Sequence, residues 1–291
     1  MGKIRRSWEL VKASWAVLKA DKELALFPVV SAVLVAIAIA IIAGGFTIVT
    51  GDGAREIADR FDDNSNRSWT IGDIVTLFII YFVTVLIATF FNAALIGATL
   101  KRLRGGDPTF RDGLKVASGR LGSIVGYAAI AATVGVVIQL IRSRSNALGD
   151  IAGGVLNVAW GVATFLVVPV LVAEDVGPAD AIRRSGSLLK KTWGEQIAGN
   201  FSLGLIGFLA TLVVALIGAL LIALAAATGS TIVIGGAVTL LIIAIAVIAV
   251  IFSALNAIYK AAVYEYAADG IAASAFGQDA LANAFVPKKS K

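Results

Sequence analysis

Two pairs of adjacent carboxylates are the residues of this chain most suited to acid–base or metal chemistry: Asp62 with Asp63, and Glu174 with Asp175. Adjacent side chains point apart, and the chain has no histidine or cysteine to complete a metal site or to act as a base or thiol. It also has no Walker-type phosphate loop. The sequence therefore predicts no catalytic, cofactor or metal site, with an enzyme acting at Glu174 and Asp175 as the alternative.

Asparagines inside apolar segments are the other candidates for a site. Asn92 and Asn256 take corresponding places shortly before the basic end of their segments, and Asn200 lies near the inner end of another. Asn157 lies nearer the outer side. An intramembrane Asn hydrogen-bonds a neighbouring helix at about 0.6–2 kcal/mol. Two interpretations stay open, namely helix-to-helix contacts and a polar vestibule for a headgroup or a small solute.

Long segments without charge must position these residues. Residues 196–259 contain no Asp, Glu, Lys or Arg, and four shorter apolar runs precede them. A bilayer core about 30 Å thick needs about 20 apolar residues per helix, and a small polar turn at residues 227–230 divides the longest run. The sequence therefore predicts one all-α integral membrane domain over residues 1–291. Its six transmembrane helices are predicted at about 24–50, 74–100, 121–141, 151–173, 197–226 and 232–259.

Lysine and arginine are distributed unevenly between the two sides of such a bundle. Of the 25 basic residues, all but five fall in residues 1–23, 101–120, 174–195 and 260–291. Because basic loops stay inside, the pattern predicts a multi-pass protein of the prokaryotic cell membrane with both termini in the cytoplasm. Lys260 is expected at the end of the sixth span. Since every acidic or basic group is then at a boundary, proton-coupled transport is disfavoured.

An internal repeat marks the basic side. Residues 5–15 (RRSWELVKASW) match residues 183–193 (RRSGSLLKKTW) at six positions, and residues 112–117 form a weaker third copy. The spacing predicts three units, each a short interfacial helix followed by a transmembrane hairpin. The interfacial helices are predicted at about 3–20, 109–120 and 179–193, and Pro108 and Pro178 suit the start of the second and third.

The first interfacial helix is amphipathic, with its tryptophans on one face and basic residues on the other. Tryptophan belongs at headgroup depth, and nearby Lys and Arg attract anionic lipids. The predicted lipid-facing residues are Arg5, Arg6, Trp8, Lys12, Trp15, Arg183, Arg184, Lys190, Lys191 and Trp193. The alternative is that these helices only orient the protein in the bilayer.

Three sets of residues carry a resemblance: 5–8, 92–95 with 105–109, and 172–178 with 181–185. They resemble an uncharacterised prokaryotic family of six-helix membrane proteins. That family in turn resembles the membrane domain attached to some bacterial glycerophosphodiester phosphodiesterases, in its acidic-Gly-Pro turn, its Ala-Ile-Arg-Arg-Ser helix and the span that follows. The resemblance covers nearly all of the chain and implies fold and topology. It implies no catalytic residue, because the phosphodiesterase chemistry belongs to a separate soluble domain.

The leading hypothesis is a non-enzymatic membrane protein that binds anionic lipids or a protein partner and supports envelope organisation or export. A facilitator or permease subunit for a small neutral or amphiphilic solute is the alternative, and it requires a polar cavity lined by the intramembrane asparagines. A homo-oligomer is compatible with both hypotheses. Neither of them involves nucleic acid or a cofactor.

Overall fold

The computed structural model of the protein describes residues 3–50, 70–144, 147–193, 202–270, 272–273, 276–277 and 281. This part of the chain is helical, and a short 3-10 helix, Lys22–Ala25, joins the first two α-helices. The α-helices are α1 (Lys3–Ala20), α2 (Leu26–Thr50), α3 (Ile71–Leu103), α4 (Phe110–Gly119), α5 (Leu121–Arg144), α6 (Ala147–Ala163), α7 (Val167–Ala173), α8 (Pro178–Trp193), α9 (Ser202–Ala227) and α10 (Thr231–Asp269).

Six helical segments of the described chain are long and apolar enough to cross a membrane. They lie in α2, α3, α5, α6 with α7, α9 and α10. The predicted all-α architecture with six candidate spans is confirmed, and the protein is membrane-embedded. The predicted interfacial helices correspond to α1, α4 and α8. A short helix followed by two spans therefore occurs three times, while the structural equivalence of the three units stays a prediction.

Two spans differ from their predicted form. The fourth span is interrupted at residues 164–166 between α6 and α7, because Pro169 has no N–H and its ring excludes a regular turn before it. The sixth was predicted to end at residue 259, but α10 continues to Asp269. Its 39 residues span about 58 Å at 1.5 Å per residue, well beyond a bilayer core of about 30 Å.

The buried core lies at one end of the bundle, which we call the basal layer. It consists of α1, α4 and α8 packed around the last turns of α3, α7 and α10. Residues 93–100 of α3 and 261–265 of α10 are buried there. The basal layer therefore holds the helices together through ordinary close packing of apolar side chains.

Toward the opposite end, which we call the distal end, the helices expose large apolar side chains. Ile37 and Ile41 on α2, Leu216 and Leu220 on α9, and Ile242 on α10 are all largely exposed. Contiguous exposed apolar surface of this extent is typical of a membrane-facing surface. The distal halves of the spans thus face lipid, whereas the buried side chains of the described bundle lie mainly in the basal layer.

The start of α4 depends on a reciprocal cap between Thr109 and Asp112. The Asp112 carboxylate accepts the Thr109 backbone N–H at 3.0 Å, and the Asp112 N–H donates to the Thr109 hydroxyl at 3.2 Å. The hydrogen bond from the Thr109 backbone, followed by the hydrogen bond from Lys101 Nζ at 2.9 Å, lowers the pKa of Asp112 to about 2. Ionised Asp112 therefore stabilises the start of this helix.

We expect this contribution to depend on pH. The pKa of Asp112 is lower in the folded protein than its ordinary value of 3.8, so the stabilisation is present above that value and is lost as the pH falls toward 2. Asp112→Asn should lower the melting temperature at neutral pH, and the difference from the wild type should shrink over this acidic range. Asp107→Asn, at an exposed carboxylate, is the control. An Asp112→Asn difference that does not change with pH would contradict the prediction.

Candidate functional site: a polar cavity between the spans

A cavity of about 500 Å³ lies among α3, α5, the interrupted fourth span and α10. Its walls combine apolar side chains with amides, hydroxyls and two cations. It is lined by Tyr81, Val85, Ala88, Thr89, Asn92, Tyr127, Ala131, Gly135, Ile138, Gln139, Arg142, Asn157, Trp160, Gly161, Thr164, Phe165, Val168 and Lys260. The cavity therefore has a mixed polar and apolar lining.

Both cations of the cavity lack a carboxylate partner among the described residues. Lys260 lies with its Nζ 5.2 Å from the centroid of the Phe165 ring, a cation–π contact. Arg142 has a buried Nε with no hydrogen-bond partner in the described part of the chain. No described residue of the lining is acidic. The cavity therefore presents uncompensated positive charge inside the bundle.

A second cavity of about 170 Å³ adjoins the first and shares Ala88, Asn92 and Lys260 with it. Its remaining lining includes Asn256 of α10 and Ser31 of α2. Asn92 and Lys260 therefore stand at the junction of the two cavities. This junction lies toward the basal layer, because Ala93 and Ala261, the next residues of the two helices, are completely buried in it.

The break in the fourth span positions the wall beside Lys260. At the break the Leu166 N–H donates to the Ser185 hydroxyl of α8 at 3.0 Å, and both residues are fully buried. The Thr164 hydroxyl donates at 2.7 Å to the Trp160 carbonyl, which also accepts the Thr164 N–H at 2.9 Å. Ser185 thus fixes the turn that directs Phe165 toward Lys260.

Three of the four predicted intramembrane asparagines line these cavities. Asn92 and Asn157 line the larger one, and Asn92 and Asn256 line the smaller one. Asn200 lies outside the described residues. Sequence reasoning missed Lys260 and Arg142 as site residues. The spacing could have indicated Lys260, because this residue follows Asn256 by four positions and therefore lies on the same face of the helix.

Three of the predicted lipid-facing residues of α1, Trp8, Lys12 and Trp15, lie at the surface of the basal layer. Trp8 is 50% and Trp15 46% exposed, and Lys12, which was predicted on the opposite face, is exposed one helical turn from Trp8. The buried face of α1 consists instead of Leu10, Val11, Ser14, Val17 and Leu18. The side chains of Arg5 and Arg6 lie outside the described part. The tryptophans thus form an exposed edge next to the face that packs on the bundle.

The basic residues of α8 divide into two kinds. Lys190 and Lys191 are exposed, as is Arg183, whose Nη1 lies 3.3 Å from Asp180 on the same helix. Arg184 is bound to Glu174, with its Nε 3.0 Å from Oε1, so it is tied to the protein. The side chain of Trp193 lies outside the described part.

The carboxylates of Glu174 and Asp175 are held by separate partners. Glu174, which follows α7, also accepts the Tyr264 hydroxyl of α10 at 3.1 Å and so links Arg184 of α8 to α10. Asp175 pairs with Arg120 of the α4–α5 turn. These contacts are those of structural ion pairs. Among the described residues, no group of three His, Cys, Asp or Glu side chains could hold a metal ion.

The six apolar helices define a multi-pass helical membrane protein, here with a positively charged polar cavity between its spans. The chain belongs to a family of unknown function, DUF6159, whose model matches residues 71–274. All lining residues of the larger cavity lie within the matched region. No curated protein and no solved structure matches the chain significantly.

Proposed function

We propose that this protein is a non-enzymatic membrane protein that binds anionic lipid at its basal layer, and that this layer faces the cytoplasm of a prokaryotic cell. The exposed edge of α1, with Trp8, Lys12 and Trp15, is the observation that supports the proposal. The neighbouring face of α1 is buried against the bundle, so the edge is held at a fixed depth.

The chemistry of this edge suits the surface of an anionic leaflet. Tryptophan places its ring among the lipid headgroups while its N–H stays hydrated. A basic residue near a negatively charged leaflet contributes about 1 kcal/mol to membrane attraction. Lys190 and Lys191 extend the positive surface to α8. The positive-inside rule supports the cytoplasmic orientation.

Removing two of these lysines tests the proposal. The full-length protein with Lys12→Gln and Lys190→Gln should bind phosphatidylglycerol about thirtyfold more weakly than the wild type, since two basic residues contribute about 2 kcal/mol. Native mass spectrometry with titrated lipid gives the affinity for phosphatidylglycerol and, as the neutral reference, for phosphatidylcholine.

The matched control removes two charges from the opposite side of the sequence. Arg55→Gln with Arg60→Gln alters the net charge equally, but in the loop that is predicted on the outer side. It should leave the affinity for phosphatidylglycerol unchanged. Equal binding of the two lipids by the wild type, or equal losses in the two double variants, would overturn the proposal.

Lipid binding at the basal layer supports a wider role in envelope organisation or export, through a protein partner or a second copy of the chain. The relation to the membrane domain of glycerophosphodiester phosphodiesterases is likewise a proposal. It rests on the acidic-Gly-Pro turn at residues 174–178 and the helix that follows.

A second role is favoured by the cavity. A facilitator or permease subunit needs a polar path between its spans, and the two adjoining cavities provide about 500 and 170 Å³ of such space. The first requirement of this role is that the larger cavity binds a solute. Trp160, which lines that cavity, can report such binding through its fluorescence.

A further inference from the structure

We infer that the larger cavity is a binding site for an oxyanion group, a carboxylate or a phosphate, whose charge is read by Lys260. This inference rests on the second proposed role and names the class of solute for it. Nothing in the sequence distinguished an anionic solute from a neutral one. The argument depends on the charges that the fold places together.

The charge balance of the cavity favours an anion. Lys260 and Arg142 both line it, and among the described residues neither forms an ion pair. Elsewhere in the described chain, Arg104 pairs with Glu265 and Arg184 with Glu174, while lysines such as Lys115, Lys190 and Lys191 are exposed to water. Lys260 and Arg142 differ from both groups, because they line a cavity between the spans and have no ion pair among the described residues.

The cost of burying a charge explains why a neutral or cationic solute fits poorly. A cation removed from water without a partner is strongly unfavourable, and a bound oxyanion offsets that cost through charge-assisted hydrogen bonds. A neutral solute would leave Lys260 without a counter-charge. A cationic solute would add repulsion to that cost.

The surroundings of Lys260 supply further hydrogen-bond donors and indicate how a bound solute would be oriented in the cavity. The Asn92 side chain lines both cavities together with Lys260, and Asn256, one helical turn before Lys260, lines the smaller one. From Asn92 the cavity continues along α3 to Tyr81, about 16 Å at 1.5 Å per residue. An oxyanion therefore fits at the basal end, with room beyond it for an apolar chain that passes Trp160.

A brominated fatty acid tests the inference directly, because bromine quenches tryptophan fluorescence on contact. We expect ω-bromoundecanoate to quench the full-length protein saturably in a neutral detergent. The saturable part should disappear in Trp160→Phe, which assigns it to the cavity. The methyl ester of the same acid, which has no charge, should require at least about tenfold higher concentration.

Variants of Lys260 test the residue itself. Lys260→Met should weaken the saturable quenching at least about tenfold, and Lys260→Arg, which keeps the charge, should restore most of it. Lys115→Met removes an exposed lysine of α4 and should leave the curve unchanged. Equal quenching by acid and ester, or a Lys260→Met curve that matches the wild type, would overturn the inference. The comparison of acid with ester needs no variant to fold.

Competition by inorganic phosphate identifies the source of the oxyanion. Competition at millimolar concentration would show that a free oxyanion occupies the site, and its absence beside saturable quenching would show that an amphiphile is required. Both results support an oxyanion site. Saturable quenching without flux of the acid in proteoliposomes would remove the permease role and leave the binding site in place.

Discussion

Gly113→Ala should destabilise the protein by about 3 kcal/mol, the largest stability effect that we expect from a single methyl group. A Cβ at this position of α4 would lie 2.6 Å from the carbonyl oxygen of Ala94 and 2.5 Å from Cζ of Phe27. Both distances are far below van der Waals contact. The methyl group therefore requires part of the basal layer to move.

Neither neighbour can move cheaply. Ala94 belongs to the fully buried part of α3, and its oxygen is backbone. Phe27 is buried and stacks on Phe110 at 4.6 Å between ring centroids. Because glycine has no Cβ, α4 can approach α3 closely at residue 113. Alanine at this position would push α4 away from α3.

Thermal unfolding of the purified protein in detergent measures the effect, and Gly119→Ala is the matched control. Gly119 ends the same helix, and a Cβ there meets no atom within 4 Å. Gly119→Ala should leave the free energy of unfolding unchanged or raise it by up to about 1 kcal/mol, because alanine favours a helix more than glycine does. The close approach would be refuted by similar melting temperatures for the two variants.

Ser185→Ala should cost about 2 kcal/mol, because it leaves the Leu166 N–H buried without an acceptor. The hydroxyl lies on α8, whereas the N–H lies in the break of the fourth span. The loss therefore falls on the contact between the basal layer and the cavity wall. We also expect weaker binding of the brominated acid, because Phe165, beside Lys260, loses its support.

Ser187→Ala is the control for this prediction. Ser187 is exposed, and its hydroxyl donates to the Arg184 carbonyl of its own helix at 2.8 Å. Its loss should change the melting temperature little. A Pro169→Ala background provides a further test, since it restores the N–H whose absence interrupts the helix. If the turn is the cause, Ser185→Ala should cost less in that background.

The spans were predictable because their cause is local. Each needs only a run of about 20 apolar residues, and composition alone supplies that signal. The short basic helices were predictable for a similar reason, since α1 begins and ends as predicted and α4 begins one residue from the expected position. Periodicity and turn residues act over a few positions and can be read directly from the chain.

The limits of the spans were less certain, because a charge does not by itself end a helix. Lys260 was expected at a boundary, yet Ala261, Ala262 and Val263 continue the helix into the basal core. Pro169 interrupts the fourth span. Its compensation comes from Ser185, which belongs to a different helix.

The amino-acid sequence by itself determined that this protein is a helical membrane protein with six candidate spans and three short basic helices. Hydropathy and charge fix those features because each span must satisfy its own backbone in lipid. Only the tertiary structure decided that the lysine after the longest uncharged run shares a cavity with an arginine from another span. Positions distant in the chain meet through packing, and packing depends on close contacts such as that of Gly113, which no local pattern records.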